Sequence, residues 1–269
     1  MCDIQVASTW KRISALLLDL ILLAILATGF GYLVSRIVSY DEKAQVVQSY
    51  IDRYEKEYEE RYHISFSISE EDFEKLSEEE KATYNKAQEE LSAALESDEA
   101  AQAAYRLVMT LTVLIVSIGI FFAFLVLEFA VPLLFRDGRT VGKFVFSLCL
   151  VRENGVRVSP PQLFIRAILG KYAIETMIPA YIIIMMLFGA ISSLIALVFI
   201  CVILLLQVIL MSVTKYNQSL HDMLAGTVCA DRESQKIFES AEALAEYKEQ
   251  IALESSNLSQ AGSTEEHES

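Results

Sequence analysis

Apolar residues in this chain gather into long uninterrupted runs. One extends from about Ile13 to Val38, a second from about Leu107 to Phe135, and a third, longer one from Tyr172 to Val213. A helix crossing a bilayer core needs ~20 predominantly apolar residues, so the first two runs each predict one span. The third is about twice a single span. Gly189-Ala190-Ile191-Ser192-Ser193 near its middle is a turn signal, and the run predicts a tight hairpin of two spans. The first run is too long for a cleavable signal and has no small-residue cleavage site close behind it. The pattern thus predicts an all-α membrane protein with four transmembrane helices.

Between the first two runs lies a polar stretch, 41–106, which reads as a largely helical insertion. Residues 41–63 are polar, with Tyr50, Tyr54, Tyr58 and Tyr62 at every fourth position, a single stripe on a helix. The stripe would pack on a neighbouring helix or form an aromatic platform for a ligand or wall polymer. His63 to Ile68 alternates like a short strand. Ser69 with Asp72 resembles a capping box. Residues 70–96, rich in Glu, Lys, Ala and Leu, favour helix, and Ala100 to Arg106 runs directly into the second span. At the other end, the segment 231–269 begins with a helical pattern (Ile237, Phe238, Ala241, Leu244, Ala245) and ends in a composition prone to disorder.

Charge sharpens this division. The chain has 269 residues, 54% of them hydrophobic, and net charge −14. Residues 41–106 carry 19 acids against 8 bases and residues 231–269 carry 10 against 3, while 1–40 and 107–230 are slightly basic. This excludes an ordinary soluble globule, and no basic face offers itself to nucleic acid. Cys2, Cys149, Cys201 and Cys229 match neither zinc nor CxxC spacing and read as small apolar residues. His63, His221 and His267 are too scattered to predict a metal site. No cofactor is expected.

Basic residues near the span ends set orientation. The loop 136–171 holds Arg136, Arg139, Lys143, Arg152, Arg157, Arg166 and Lys171 against Asp137 and Glu153. Lys11 and Arg12 precede the first span and Lys215 follows the last. The expectation is a multi-pass cell-membrane protein with both termini and the basic loop cytoplasmic and 41–106 outside.

Three constellations carry candidate chemistry. In the first span Asp19 lies among apolar residues, where a charge needs protein or water around it. Arg12, Ala15 and Asp19 share one helical face, with Arg12 ~10.5 Å from Asp19 along the axis and able to snorkel to the interface. Small Ala15 admits a close second helix. Asp19 either fixes packing through a buried polar bond or handles an ion or proton. Glu128, Glu175 and Gln207 lie in later spans; the glutamates would pair with Arg or Lys, or carry protons.

The second constellation is Gly138-Arg139-Thr140-Val141-Gly142-Lys143, followed by an apolar run to Val151 and the turn signal Asn154-Gly155. A short hairpin or re-entrant element fits. The spacing fails the phosphate-loop pattern, and Phe144 follows the lysine, so nucleotide binding is excluded. The third is Ser219 to Thr227. There Asp222 could accept from a base of the inner loop, and His221 could pair with a carboxylate. Adjacent His221 and Asp222 should point apart, and no nucleophile motif is present; the chain does not read as an enzyme.

Together these segments resemble the RDD family of prokaryotic membrane proteins, named for one arginine and two aspartates. Arg12, Ala15 and Asp19 match its first-helix signature. Gly142-Lys143 with Val151, Asn154-Gly155 and Arg166 resembles its middle segment, and His221-Asp222 with Gly226-Thr227 its closing motif. The resemblance covers roughly 9–35 and 107–230 and breaks at 41–106, where the family's connection is shorter. It implies transport, with monovalent cation/proton antiport as one activity, and Arg12, Asp19 and Asp222 as the residues that carry it. Glu128, Lys143, Arg166, Glu175 and His221 would support them, in a homo-oligomer. The competing expectation is a non-transporting scaffold or accessory subunit that binds an envelope partner through 41–106. Transport predicts polar groups lining one shared cavity; a scaffold predicts isolated pairs.

Overall fold

The computed structural model describes residues 4–135 and 137–265, with side chains to residue 254. Cys2, Arg136 and His267 lie outside the described residues. In chain order the elements are α1 (Thr9–Ile37), α2 (Tyr40–Tyr62), α3 (Glu70–Glu74), α4 (Glu78–Ser97), α5 (Glu99–Leu134) and α6 (Val141–Val145). Then follow β1 (Leu148–Arg152), α7 (Pro160–Leu187), α8 (Ser193–Val213), α9 (Leu220–Ala225), β2 (Thr227–Asp231) and α10 (Ala241–Glu265). Helices α1, α5, α7 and α8 are long and apolar enough to cross a membrane. The turn between α7 and α8 falls at the glycine-serine stretch, with Gly189 in the left-handed region and the Ser192 side chain capping α8.

Two compact units divide the chain, Gly29–Gly119 and Met1–Thr28 with Ile120–Ser269. In the first, α2 packs on α4. The tyrosine stripe faces that packing: Tyr58 is buried, Tyr50, Tyr54 and Tyr62 are half-buried, and the Tyr54 hydroxyl donates to Asp98 at 3.0 Å. Ala87, fully buried, lets the helices approach. Ser69 caps α3 as its spacing predicts, and Ser77 with Glu80 forms a capping box at the start of α4. Residues 63–68 do not form the expected strand. The Phe66 ring instead packs edge-on against Tyr84, and the Phe66 N–H donates to the Glu59 carboxylate.

The second unit is organised inside out. Large apolar side chains of α1 and α8 are exposed, Leu20, Ile25 and Leu204 among them, whereas the buried residues of α1 are Ala15 and Asp19. In lipid, apolar exposure has no penalty and charges turn inward. Several of those charges sit on π-helical turns, Leu125–Ala130 within α5 and Ile165–Met177 within α7. Bonding from i to i+5 brings residues five apart to nearly one face, as with Arg166 and Lys171. Both were expected in the loop 136–171. They belong to α7, which starts at Pro160 because two prolines suit the first turn of a helix and Gln162 accepts from the Ser159 N–H and hydroxyl.

A small sheet departs from the all-α expectation. β1 and β2 pair antiparallel, with Leu150 opposite Cys229 and Val151 opposite Val228. One face packs Leu148, Leu150 and Cys229 on Ala7, Ala15 and Leu163; the other packs Cys149, Val151, Val228 and Ala230 on Ile4, Tyr216 and Ile237. Val6 extends it through a bridge to Ala230. The expected hairpin closes at Asn154-Gly155, where the Arg152 N–H donates to the Val156 carbonyl. Phe238 bridges Val156 in extended chain rather than starting a helix, and α10 begins only at Ala241. The sheet links α6, just before β1, to α9, just before β2, and so sets the walls of the site.

Candidate functional site

Asp19 finds its partners at the start of the short helix α6. Its carboxylate accepts from the Thr140 hydroxyl at 2.5 Å and the Gly142 N–H at 2.7 Å. Thr140 also caps α6 by accepting from the Lys143 N–H. Gly142 is required by contact. A Cβ there would collide with the Ala15 carbonyl oxygen and lie 2.8 Å from the Asp19 carboxyl carbon. The element admitted by small Ala15 is therefore this short helix.

The Arg12 guanidinium donates to the Asn217 carbonyl, at 2.5 Å, and lies 3.5 Å from Asp222. Asp222 accepts from Arg166 Nε at 2.9 Å, the Ser219 hydroxyl at 2.9 Å and the Thr227 hydroxyl at 3.1 Å. Burial opposes its ionisation, but the positive charges of Arg166 and Arg12 prevail and hold its pKa far below the usual carboxylate range. The pairing of Asp222 with a base from 136–171, expected from sequence, is present in Arg166.

His221 and Asp222 do not point apart. On the first turn of α9 both reach Ser219 and Arg166, and His221 Nε2 lies 3.7 Å from Asp222. Burial pushes the His221 pKa down, more than Asp222 pulls it up, favouring the neutral ring. Its Nδ1–H then donates to Glu175 at 2.8 Å while Nε2 accepts from Arg166 at 3.0 Å. Gly170 makes room: a Cβ there would lie 2.6 Å from the His221 Cβ. Gln207 accepts weakly from the Leu220 N–H. Glu128 pairs with Lys171 at 2.5 Å and lies 3.8 Å from Arg166.

Lys143 lies in α6, buried, with its ammonium 3.4 Å from the Thr140 hydroxyl. Burial, then repulsion from Lys171 and Arg166, lowers its pKa from 10.5 to about 8, against the pull of Glu128 and Asp19. These groups meet around one cavity of about 150 Å³ lined by Arg12, Asp19, Lys143, Arg166, His221 and Asp222, with Lys171, Ser219 and Cys229 also in its wall. Glu128 and Glu175 stand one contact behind that wall. Burial raises the Cys229 thiol pKa, keeping it protonated.

Sequence reasoning missed Thr140 and Ser219 as site residues. Both carried a signal, a hydroxyl residue three positions before a functional one, the spacing of a helix cap. Gly170 carried none, because a glycine needed for close approach looks like any other glycine in an apolar run.

A model of the RDD family matches residues 6–226. That span includes every charged residue of the cavity wall named here, and Cys229 lies just beyond it. No curated protein and no solved structure is detectably similar to the chain.

Proposed function

Because the chain belongs to the RDD family of membrane proteins, we propose that it is a small transporter that exchanges protons for a monovalent cation through the cavity of Arg12, Asp19 and Asp222. The observation that carries this reading is the shared cavity. Two aspartates and four basic side chains from α1, α6, α7 and α9 line one space. Charges that served packing alone would need only separate pairs. Asp19 binds the cation or proton. Asp222, locked to Arg166 and close to Arg12, holds the inner wall, and its release would open the inner mouth.

In this reading the four apolar helices cross the cell membrane with both termini and the basic segment inside and 41–106 outside. Four spans are few for a transporter, so a homodimer is the working assembly. The test is proton flux in vesicles containing the purified protein, under imposed Na⁺, K⁺ or Li⁺ gradients. Cation-dependent flux supports the reading, and its absence in folded protein contradicts it.

A second reading, an envelope-binding scaffold, is favoured by the compactness of Gly29–Gly119 and by a cavity of about 490 Å³ beside Tyr62 and Tyr84. Crosslinking from the loop around Ile64 would capture an envelope partner if this reading held, and deletion of 45–100 would abolish the capture.

A further inference from the structure

Two of the charged groups that line the cavity have no opposite charge within ion-pair distance among the described residues. Arg166 is held by Asp222, Lys171 by Glu128, His221 by Glu175, and Arg12 by the Asn217 carbonyl and Asp222. Asp19 is met only by neutral donors, the Thr140 hydroxyl and Gly142 N–H. Among the described residues, no basic group lies within ion-pair distance of it. Lys143 is its opposite. It is 7% exposed, and among the described residues its ammonium has a single hydrogen-bond partner, the Thr140 hydroxyl. A buried carboxylate and a buried ammonium, each without a counter-ion, thus line one cavity and share one threonine.

We propose that Lys143 is the proton carrier of this cavity, and that a monovalent cation held at Asp19 displaces the Lys143 proton to water. The proposal rests on the transport reading above and names its coupling group. The exchange balances: the ammonium becomes an amine, one proton leaves, and one positive charge takes its place beside Asp19. The total charge of the cavity is unchanged, which is why a monovalent ion fits and a divalent one does not.

The surroundings suit this role. From α7, Arg166 and Lys171 repel the Lys143 ammonium, while Glu128 of α5 and Asp19 of α1 attract it. Asp222 of α9 is committed to Arg166, and His221 beside it is favoured neutral. Arg12 and the protonated thiol of Cys229 complete the wall. A cation arriving at Asp19 removes one of the two attractions and leaves both repulsions. Because the balance already places Lys143 near 8, a single added charge suffices to release the proton at neutral pH. A cavity of about 150 Å³ has room for an ion with a few waters, each occupying ~30 Å³ in the liquid.

The experiment uses the full chain in detergent, weakly buffered near pH 7, titrated separately with NaCl, KCl and LiCl. Proton release is read with a pH dye and cation binding by calorimetry, for wild type, Lys143→Met and Lys143→Arg. Wild type should release about one proton per cation bound, with affinity weakening ~10-fold per pH unit below pH 8 by proton linkage. Lys143→Met should bind without release and with no pH slope between 6 and 8. Lys143→Arg should neither bind nor release, because guanidinium keeps its proton. Unchanged release or an unchanged pH slope in Lys143→Met overturns the proposal and leaves the transport reading standing. A wild-type protein that binds none of the three cations overturns both.

Discussion

The Asp19 carboxylate accepts the Gly142 N–H at 2.7 Å, and no side chain can be added at Gly142 without displacing it. The α1 aspartate is thereby held by backbone from the first turn of α6, a partner that cannot rotate away. Gly142→Ala should push the turn off α1, lower thermal stability by about 1–3 kcal/mol, the usual cost of overpacking, and reduce flux. Thermal unfolding in detergent alongside vesicle flux measures both.

Gly170→Ala is expected to behave similarly at the other wall. Replacing glycine by alanine inside a helix ordinarily stabilises by about 0.5–1 kcal/mol. Here the new methyl would meet the His221 backbone and Cβ, so the sign reverses. A variant as stable as wild type would show that α9 can withdraw from α7 at little cost.

Asp222→Asn leaves the buried Arg166 and the half-buried Arg12 without their carboxylate. Breaking such a pair from one side costs about 3–5 kcal/mol. The folded pKa of Asp222 is depressed, so its contribution is present above the ordinary carboxylate range and is lost as pH falls through and below ~4. Wild type should therefore lose stability over that acid window, and the variant should lose correspondingly less. Melting curves between pH 3 and 7 read the difference.

Lys143 has the opposite dependence. Its folded pKa, about 8, lies below its ordinary 10.5, so burying its charge costs stability. At ~1.4 kcal/mol per pKa unit the cost is about 3 kcal/mol. It is fully present below pH 8 and fades as pH rises toward 10.5, where the unfolded chain also loses the proton. Lys143→Met should be more stable than wild type at pH 7, with the gap closing at high pH. A destabilised variant at pH 7 would mean that the ammonium holds the turn in place.

The four helices long and apolar enough to cross a membrane were legible from sequence because they fall on apolar runs, two of them on one run broken by a glycine-serine turn, and Asp19 stood out as a charge within such a run. The sheet was not legible. Each of its strands is five residues long, and its register depends on pairing Leu150 with Cys229 across much of the chain. The helical placement of Arg166 and Lys171 was hidden for another reason: charged residues dilute the hydropathy of the first turns of α7, and π-helical turns change which positions share a face. The pairing of Arg12 with Asp222, rather than any link to Asp19, follows from that same long-range closure.

The central claim is that the Asp19 cavity is a transport path, and the most direct measurement compares wild type with Asp19→Asn in vesicles under Na⁺, K⁺ or Li⁺ gradients. Asparagine keeps the size and accepting oxygen of the side chain but removes its ionisable group. Cation-dependent proton flux in wild type, lost in folded Asp19→Asn, is the predicted result. Equal flux from both proteins would contradict the account.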